Sequence, residues 1–197
     1  MSAAQSFVKD IRGAAVRDLD GRRVATVLDL ATISTVDFPA VRYAILAMAF
    51  DQPPWGKAAY TACVDAKDIV GWDSQRLKLR LPVTHVQPEP MPADAICLGR
   101  NLLDRQIVDQ SNRKLMRVND VLLRVVDGTA RCLGLVSGLS GLFTRLNPTA
   151  AGLFGRGTSD ENLNNVILWD LVSAIERPSW RIRLAVDEPI LTNLRRL

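Results

Sequence analysis

The chain has 197 residues, 48% of them apolar and 23% charged, which is an ordinary globular balance. Its 25 Lys and Arg against 21 Asp and Glu leave a net charge of +4, spread without the basic stripe and interleaved aromatics of a nucleic-acid binder. No run of about 18 apolar residues exists to span a membrane, no apolar leader opens the chain, and Cys63, Cys97 and Cys132 form neither a CxxC pair nor a disulfide framework; buried, reduced thiols and a cytoplasmic location follow as the expectation.

In chain order, Phe7, Val8 and Ile11 predict a short helical turn or lead-in strand. Asp18-Leu19-Asp20-Gly21 reads as a turn, with Asp accepting backbone amides and Gly permitting positive φ. A calcium loop is the competing reading of DxDG, but the third acidic position and the distal Glu are missing. Arg23 to Thr32 alternates imperfectly, as a strand with a bulge or bend does. Val41 to Phe50 is a strand, Pro53-Pro54 breaks the ladder, Ala58 to Val64 is the next strand, and Leu77 to Leu81 alternates cleanly. Pro82, Pro88, Pro90 and Pro92 then mark an extended linker. It holds His85, the single histidine, with no second ligand or nucleophile near it in sequence.

Beyond the linker the chain repeats itself. Val16, Asp18, Arg22, Val24, Val27 and Asp29 are matched 91 residues later by Ile107, Asp109, Arg113, Leu115, Val118 and Asp120. Asn112 stands where Gly21 did, and Asn tolerates the left-handed region, so the turn is preserved. Lys114 to Arg124 is the long strand, Asp127-Gly128 the next hairpin turn, and Ala130 to Ser137 matches Ala40 to Ala47. The copies then diverge. Leu139, Leu142, Phe143 and Leu146 stand at helical spacing and form an apolar face ended by Pro148. This face is expected to close the open end of its own barrel, as apolar stripes usually face a core, and is otherwise the candidate interaction surface. Val166 to Trp169 and Trp180 to Leu184 resume as strands, and Pro189 to Leu197 opens a helix.

The strand-turn-strand VRDLDGRRVATVLDL at Val16 to Leu30, its partner IVDQSNRKLMRVNDVLL at Ile107 to Leu123, and WDLV at Trp169 to Val172 resemble the PRC-barrel domain, the small β-barrel of the ribosome-maturation factor RimM and the photosynthetic reaction-centre H subunit. LLDRQIVDQSNRKLMRVNDVLL with the following GLVSGLSGLFTRL is similar to the tandem barrels that precede the MgtE-type intracellular domain and CBS domains in magnesium-transporter-like proteins. The expected fold is therefore all-β: two small antiparallel PRC-type barrels related by duplication, with a short helical insertion in the second. The expected boundaries are 1–86 for the first barrel, 87–97 for the linker, 98–188 for the second, and 189–197 for the start of a following helix.

The resemblance implies a non-enzymatic regulatory or adaptor module. Its partners would be downstream helical or CBS-type domains, a membrane transporter reached from the cytoplasmic face, or a second copy. A RimM-like RNA or ribosome-assembly module is the alternative, resting on the basic balance and on Arg22, Arg23, Arg113 and Arg117; no base-stacking aromatic platform accompanies them. No catalytic residue, cofactor site or metal site is expected. Asp29 and Asp120 recur without His or Cys companions and read as turn caps, or as partners of an Arg, each within its own barrel. Trp55, Trp72, Trp169 and Trp180 share no spacing and read as core or barrel-end residues.

Overall fold

The two copies build sheets of the same order. The computed structural model describes residues 5–33, 38–52, 56–73, 75–137 and 166–186. The first copy supplies β1 (Gln5–Phe7), the single helical turn α1 (Val8–Ile11), β2 (Ala15–Arg17), β3 (Arg23–Thr32), β4 (Tyr43–Gln52), β5 (Gly56–Asp65), β6 (Ile69–Val70) and β7 (Lys78–Leu79). The second supplies β8 (Ile96–Cys97), a π-helical turn (Leu98–Leu102), β9 (Gln106–Val108), β10 (Lys114–Val126), β11 (Thr129–Ser137), β12 (Val166–Leu168), β13 (Val172–Glu176) and β14 (Arg181–Leu184). The hydrogen-bonded orders are β5-β4-β3-β2-β7-β6 and β12-β11-β10-β9-β14-β13. A 3-10 turn, Ala66–Asp68 in one copy and Trp169–Leu171 in the other, precedes the last two strands of each.

The fold is mostly β, as the alternation predicts, but the sheets are mixed rather than antiparallel throughout. β7 lies parallel to β2, and β14 parallel to β9. Alternation fixes which face of a strand is buried; it carries no information about the direction of the neighbour. The helical segment expected after Ser137 and the helix expected at 189–197 lie outside the described residues.

The turn chemistry is repeated bond for bond. Arg22 N donates to Asp18 Oδ1 at 2.8 Å, and Arg113 N to Asp109 Oδ1 at 2.7 Å. Gly21 has φ 82° and Asn112 φ 64°, so both tips need the left-handed region, where β-branched side chains are strained. Gly21→Asn is accordingly expected to change stability by no more than about 0.5 kcal/mol, whereas Gly21→Val costs about 1–2 kcal/mol. Urea denaturation of the two variants checks the difference.

Both long strands are bulged at the same place. Leu28 is the extra residue between Val27 and Asp29 against β4, and Asn119 the extra residue between Val118 and Asp120 against β11. A bulge bends its strand, and here it divides the strand's free edge. On the early side of each bend the edge pairs with its own copy, β2 on β3 and β9 on β10. On the late side it pairs with the other copy. Ala31 and Thr32 of β3 pair with Cys97 and Ile96, while Leu122 to Arg124 of β10 pair with Phe7 to Gln5. The short lead-in strands β1 and β8 are thus exchanged between the two halves.

The exchange merges the cores. Val8 and Ile11 of α1, and Leu98 and Leu102 of the π-helical turn, are fully buried in one continuous apolar cluster that draws on both sheets. Trp72 and Trp169 lie in the same cluster, as expected of core residues. The proline-rich segment leaves only Val83 and Val86 as partial contributors. It is held at one end by Glu89 N donating to Cys63 O at 2.8 Å, and at the other by Arg177, whose guanidinium donates to the carbonyls of Ala93, Asp94 and Ala95.

Candidate functional site

The seam between the copies gathers most of the buried polar chemistry. Asp29 is only 6% exposed. Its Oδ1 accepts the amide of its neighbour Leu30 at 2.8 Å and of Gly99 at 2.7 Å, and its Oδ2 accepts the Arg100 amide at 2.8 Å. Gly99 and Arg100 lie within the π-helical turn of the other copy. Asp120 repeats the arrangement in reverse, accepting Val121 N at 2.7 Å and Lys9 N, in α1 of the first copy, at 3.2 Å. The repeated carboxylates therefore do act as caps, each on the following amide of its own half, but each also reaches across to the lead-in turn of the other.

The two caps are unequal, and a glycine is the reason. A Cβ on Gly99 would stand 2.7 Å from Asp29 Oδ1 and 2.8 Å from Arg12 Nε. Only glycine admits so close an approach. The residue 91 positions earlier is Val8, and there the facing carboxylate receives one amide from the turn instead of two. Asp120 is half-buried, and burial raises its carboxyl above the usual aspartate range, partly offset by the Val121 and Lys9 amides. The folded chain then holds that proton more tightly than the unfolded chain, so this group's contribution falls as pH rises through the interval above 3.8.

Beside the caps, an open cavity of about 510 Å³ lies where the Asp127-Gly128 hairpin turn of the second copy meets the 3-10 turn of the first. Its floor is joined across the seam by Val41 N donating to Ala130 O at 2.8 Å and Cys132 N to Pro39 O at 2.9 Å. Arg42, Lys67 and Arg80 face Asp65, Asp68 and Asp127 in its lining, an equal number of each charge. Asp65 anchors this set. It is 3% exposed, accepts Lys67 N at 2.9 Å, and lies 3.1 Å from Lys67 Nζ and 3.4 Å from the Arg42 guanidinium. Burial alone would raise its carboxyl; the Lys67 amide and ammonium and the Arg42 guanidinium outweigh that and hold it below the usual range.

A depressed folded value means that the unfolded chain takes up the proton first as the pH falls. The stability this group supplies is complete above 3.8 and is lost as the pH drops toward the folded value. Asp65→Asn is therefore expected to be less stable than the parent at neutral pH, with the gap closing in acid. Urea midpoints across a pH series measure it. A gap of constant size into acid would mean that the two cations do not hold the charge.

The remaining sequence candidates are dispersed. Leu139, Leu142, Phe143 and Leu146 lie outside the described residues. Arg113 is ion-paired with the fully buried Asp109 at 2.8 Å, which commits it to its own turn. Arg22, Arg23 and Arg117 are exposed; Arg23 donates to Thr26 Oγ1 at 2.8 Å. His85 is exposed beside the Thr84 hydroxyl at 3.3 Å. Trp180 is half-buried under the Arg177 guanidinium, 4.7 Å from its ring centre. Cys97 and Cys132 are buried and Cys63 partly so, and burial raises all three thiols. Among the described residues no three His, Cys, Asp or Glu side chains gather as metal ligands, and no helix is long and apolar enough to cross a membrane. Compared with protein-family models and with curated proteins, the chain matches none.

Proposed function

We propose that this chain is a non-enzymatic regulatory or adaptor module of the tandem PRC-barrel kind, the cytosolic N-terminal part of a magnesium-transporter-associated protein that docks on a helical intracellular domain. The observation that supports this reading is the use made of the buried carboxylates at the seam. Asp29 and Asp120 each accept backbone amides from the other copy, so these carboxylates serve to hold the two halves in a fixed relation. A unit of that kind presents a surface of constant shape to a partner, with the mixed-charge recess around Arg42 and Asp127 as one feature of it. Titrating the purified chain with an MgtE-type intracellular helical domain tests this reading. Association that weakens with Arg42→Glu supports it, and no association at micromolar concentrations overturns it.

A RimM-like RNA-binding role is the second reading, favoured by the exposed guanidiniums of Arg22 and Arg117, for which the described residues supply no carboxylate partner. Retention of the chain on ribosomal RNA that collapses at moderate salt, without capture of the helical domain, would put it first.

A further inference from the structure

The second copy carries a cluster of three arginines, two of which, Arg105 and Arg117, have no cationic counterpart in the first. Arg117 of β10 pairs in register with Gln106 of β9, and Ile182 of β14 pairs with Ile107, which places Arg181 beside Gln106. Arg117, Gln106 and Arg181 thus form a row across three adjacent strands, with the two arginines about 10 Å apart at ordinary strand spacing. Met116, Ile107 and Ile182, their chain neighbours, are buried in the core, so by alternation the row projects from the opposite face. Arg105 stands at one end of it, and the six residues Asp104, Arg105, Gln106, Arg117, Ser179 and Arg181 line a recess of about 330 Å³. That is the small end of the range for ligand sites.

Three guanidiniums face one carboxylate here, and they are poorly matched from within. The Arg105 Nε is buried without a hydrogen-bond partner, and the same guanidinium makes only a long, 3.4 Å bond to the Arg100 carbonyl. Arg181 donates one N–H to Asn112 Oδ1 at 2.9 Å, leaving its other donors uncommitted among the described residues. Like charges held together in this way repel unless an anion lies between them. The framework does not demand Arg105 or Arg117: the positions 91 residues before Arg105, Gln106 and Arg117 are Ala14, Ala15 and Thr26. Arg181 does have a cationic counterpart by strand register, Arg76, but that guanidinium is paired with Asp73 at 2.6 Å.

We propose that this recess binds a phosphate monoester or free phosphate, held by Arg105, Arg117 and Arg181 with the Gln106 amide between them. Planar guanidiniums suit the oxygens of a tetrahedral dianion because each offers two parallel N–H donors. Asp104, also in the lining, disfavours a long polyanion and offers an acceptor to a hydroxyl of the alcohol part. The inference is independent of the docking role proposed above, since it concerns a different face of the second copy.

Calorimetric titration of the whole chain with inorganic phosphate and with glycerol 3-phosphate tests it, beside cosedimentation with vesicles containing phosphatidic acid. Saturable binding of either soluble ligand is expected, weakening with added salt and falling by at least about tenfold in Arg117→Gln and in Arg181→Gln. Thermal melts of both variants verify that they remain folded, and Arg22→Gln, an exposed cation of the first copy, is expected to bind as the parent does. Vesicle binding lost in the same two variants would support the site with a lipid headgroup as the source. Absence of all binding, or binding unchanged by the two substitutions, overturns the proposal. So does single-stranded RNA retention that depends on Arg117 and Arg181 when neither soluble ligand binds, since the row would then be a strand-backbone contact.

Discussion

Asp29→Ala is expected to lower the melting temperature by roughly 10 °C. Its carboxylate satisfies three amides, those of Leu30, Gly99 and Arg100, all within 2.8 Å, the first two of them buried and the third part-buried. Removing the acceptor leaves buried donors that cost about 1–3 kcal/mol each before relaxation, and a net loss of ~3 kcal/mol corresponds to that shift in a chain of this size. Asp120→Ala should cost only about 1 kcal/mol. Its inter-copy bond is single and longer at 3.2 Å, and burial already disfavours its charged form. Two positions that look equivalent in sequence are thus expected to differ severalfold in effect. Thermal denaturation followed by circular dichroism measures both, and equal losses would show that the Gly99 approach contributes nothing.

Separating the halves is expected to abolish folding of each. Residues 1–86 alone would leave the late edge of β3 without Ile96 and Cys97, and Asp29 buried without the Gly99 and Arg100 amides. The remainder of the chain would lose Gln5 to Phe7 from the edge of β10, together with the apolar cover of Val8 and Ile11. Each of those two side chains contributes about 2 kcal/mol on burial, and an uncovered strand edge invites aggregation. The expected result is one cooperative transition for the whole chain, none for either piece, and recovery of structure when the two are expressed together. A native-like melt from one isolated half would show that the exchange is dispensable.

The duplication was legible because both copies needed the same local chemistry. Asp18 and Asp109 cap identical turns, Gly21 and Asn112 both adopt positive φ, and Val27 and Val118 precede identical bulges. The role of Asp29 and Asp120 was half legible. An Asp after a bulge announces an acceptor, but nothing local tells which backbone will supply the donor, and the donors lie 70, 71 and 111 residues away. The exchange of β1 and β8 was hidden for a related reason. Strands of two or three residues have almost no pattern, and Ile96-Cys97 falls in a stretch whose prolines dominate its reading. The arginine recess was out of reach because Arg105, Arg117 and Arg181 belong to three separate segments and meet only through strand register. Parallel pairing of β2 with β7 and of β9 with β14 was equally silent, since direction leaves no trace in alternation.

The crossed lead-in strands also set a timetable for synthesis. When the ribosome has made β3 and β4, the amides that Asp29 requires have not yet been polymerised; they lie 70 and 71 residues further on. The opening segment waits longer still, since the Lys9 amide meets Asp120 only after another 111 residues. Neither half can be completed and set aside while the other emerges. Nascent chains must hold β1 and α1 in reserve, with their apolar side chains uncovered, until Asp120 and the strand that carries it have left the exit tunnel. Such long closures slow folding, and a chaperone that shields Gln5 to Ile11 during that interval would act at the step the architecture makes most vulnerable.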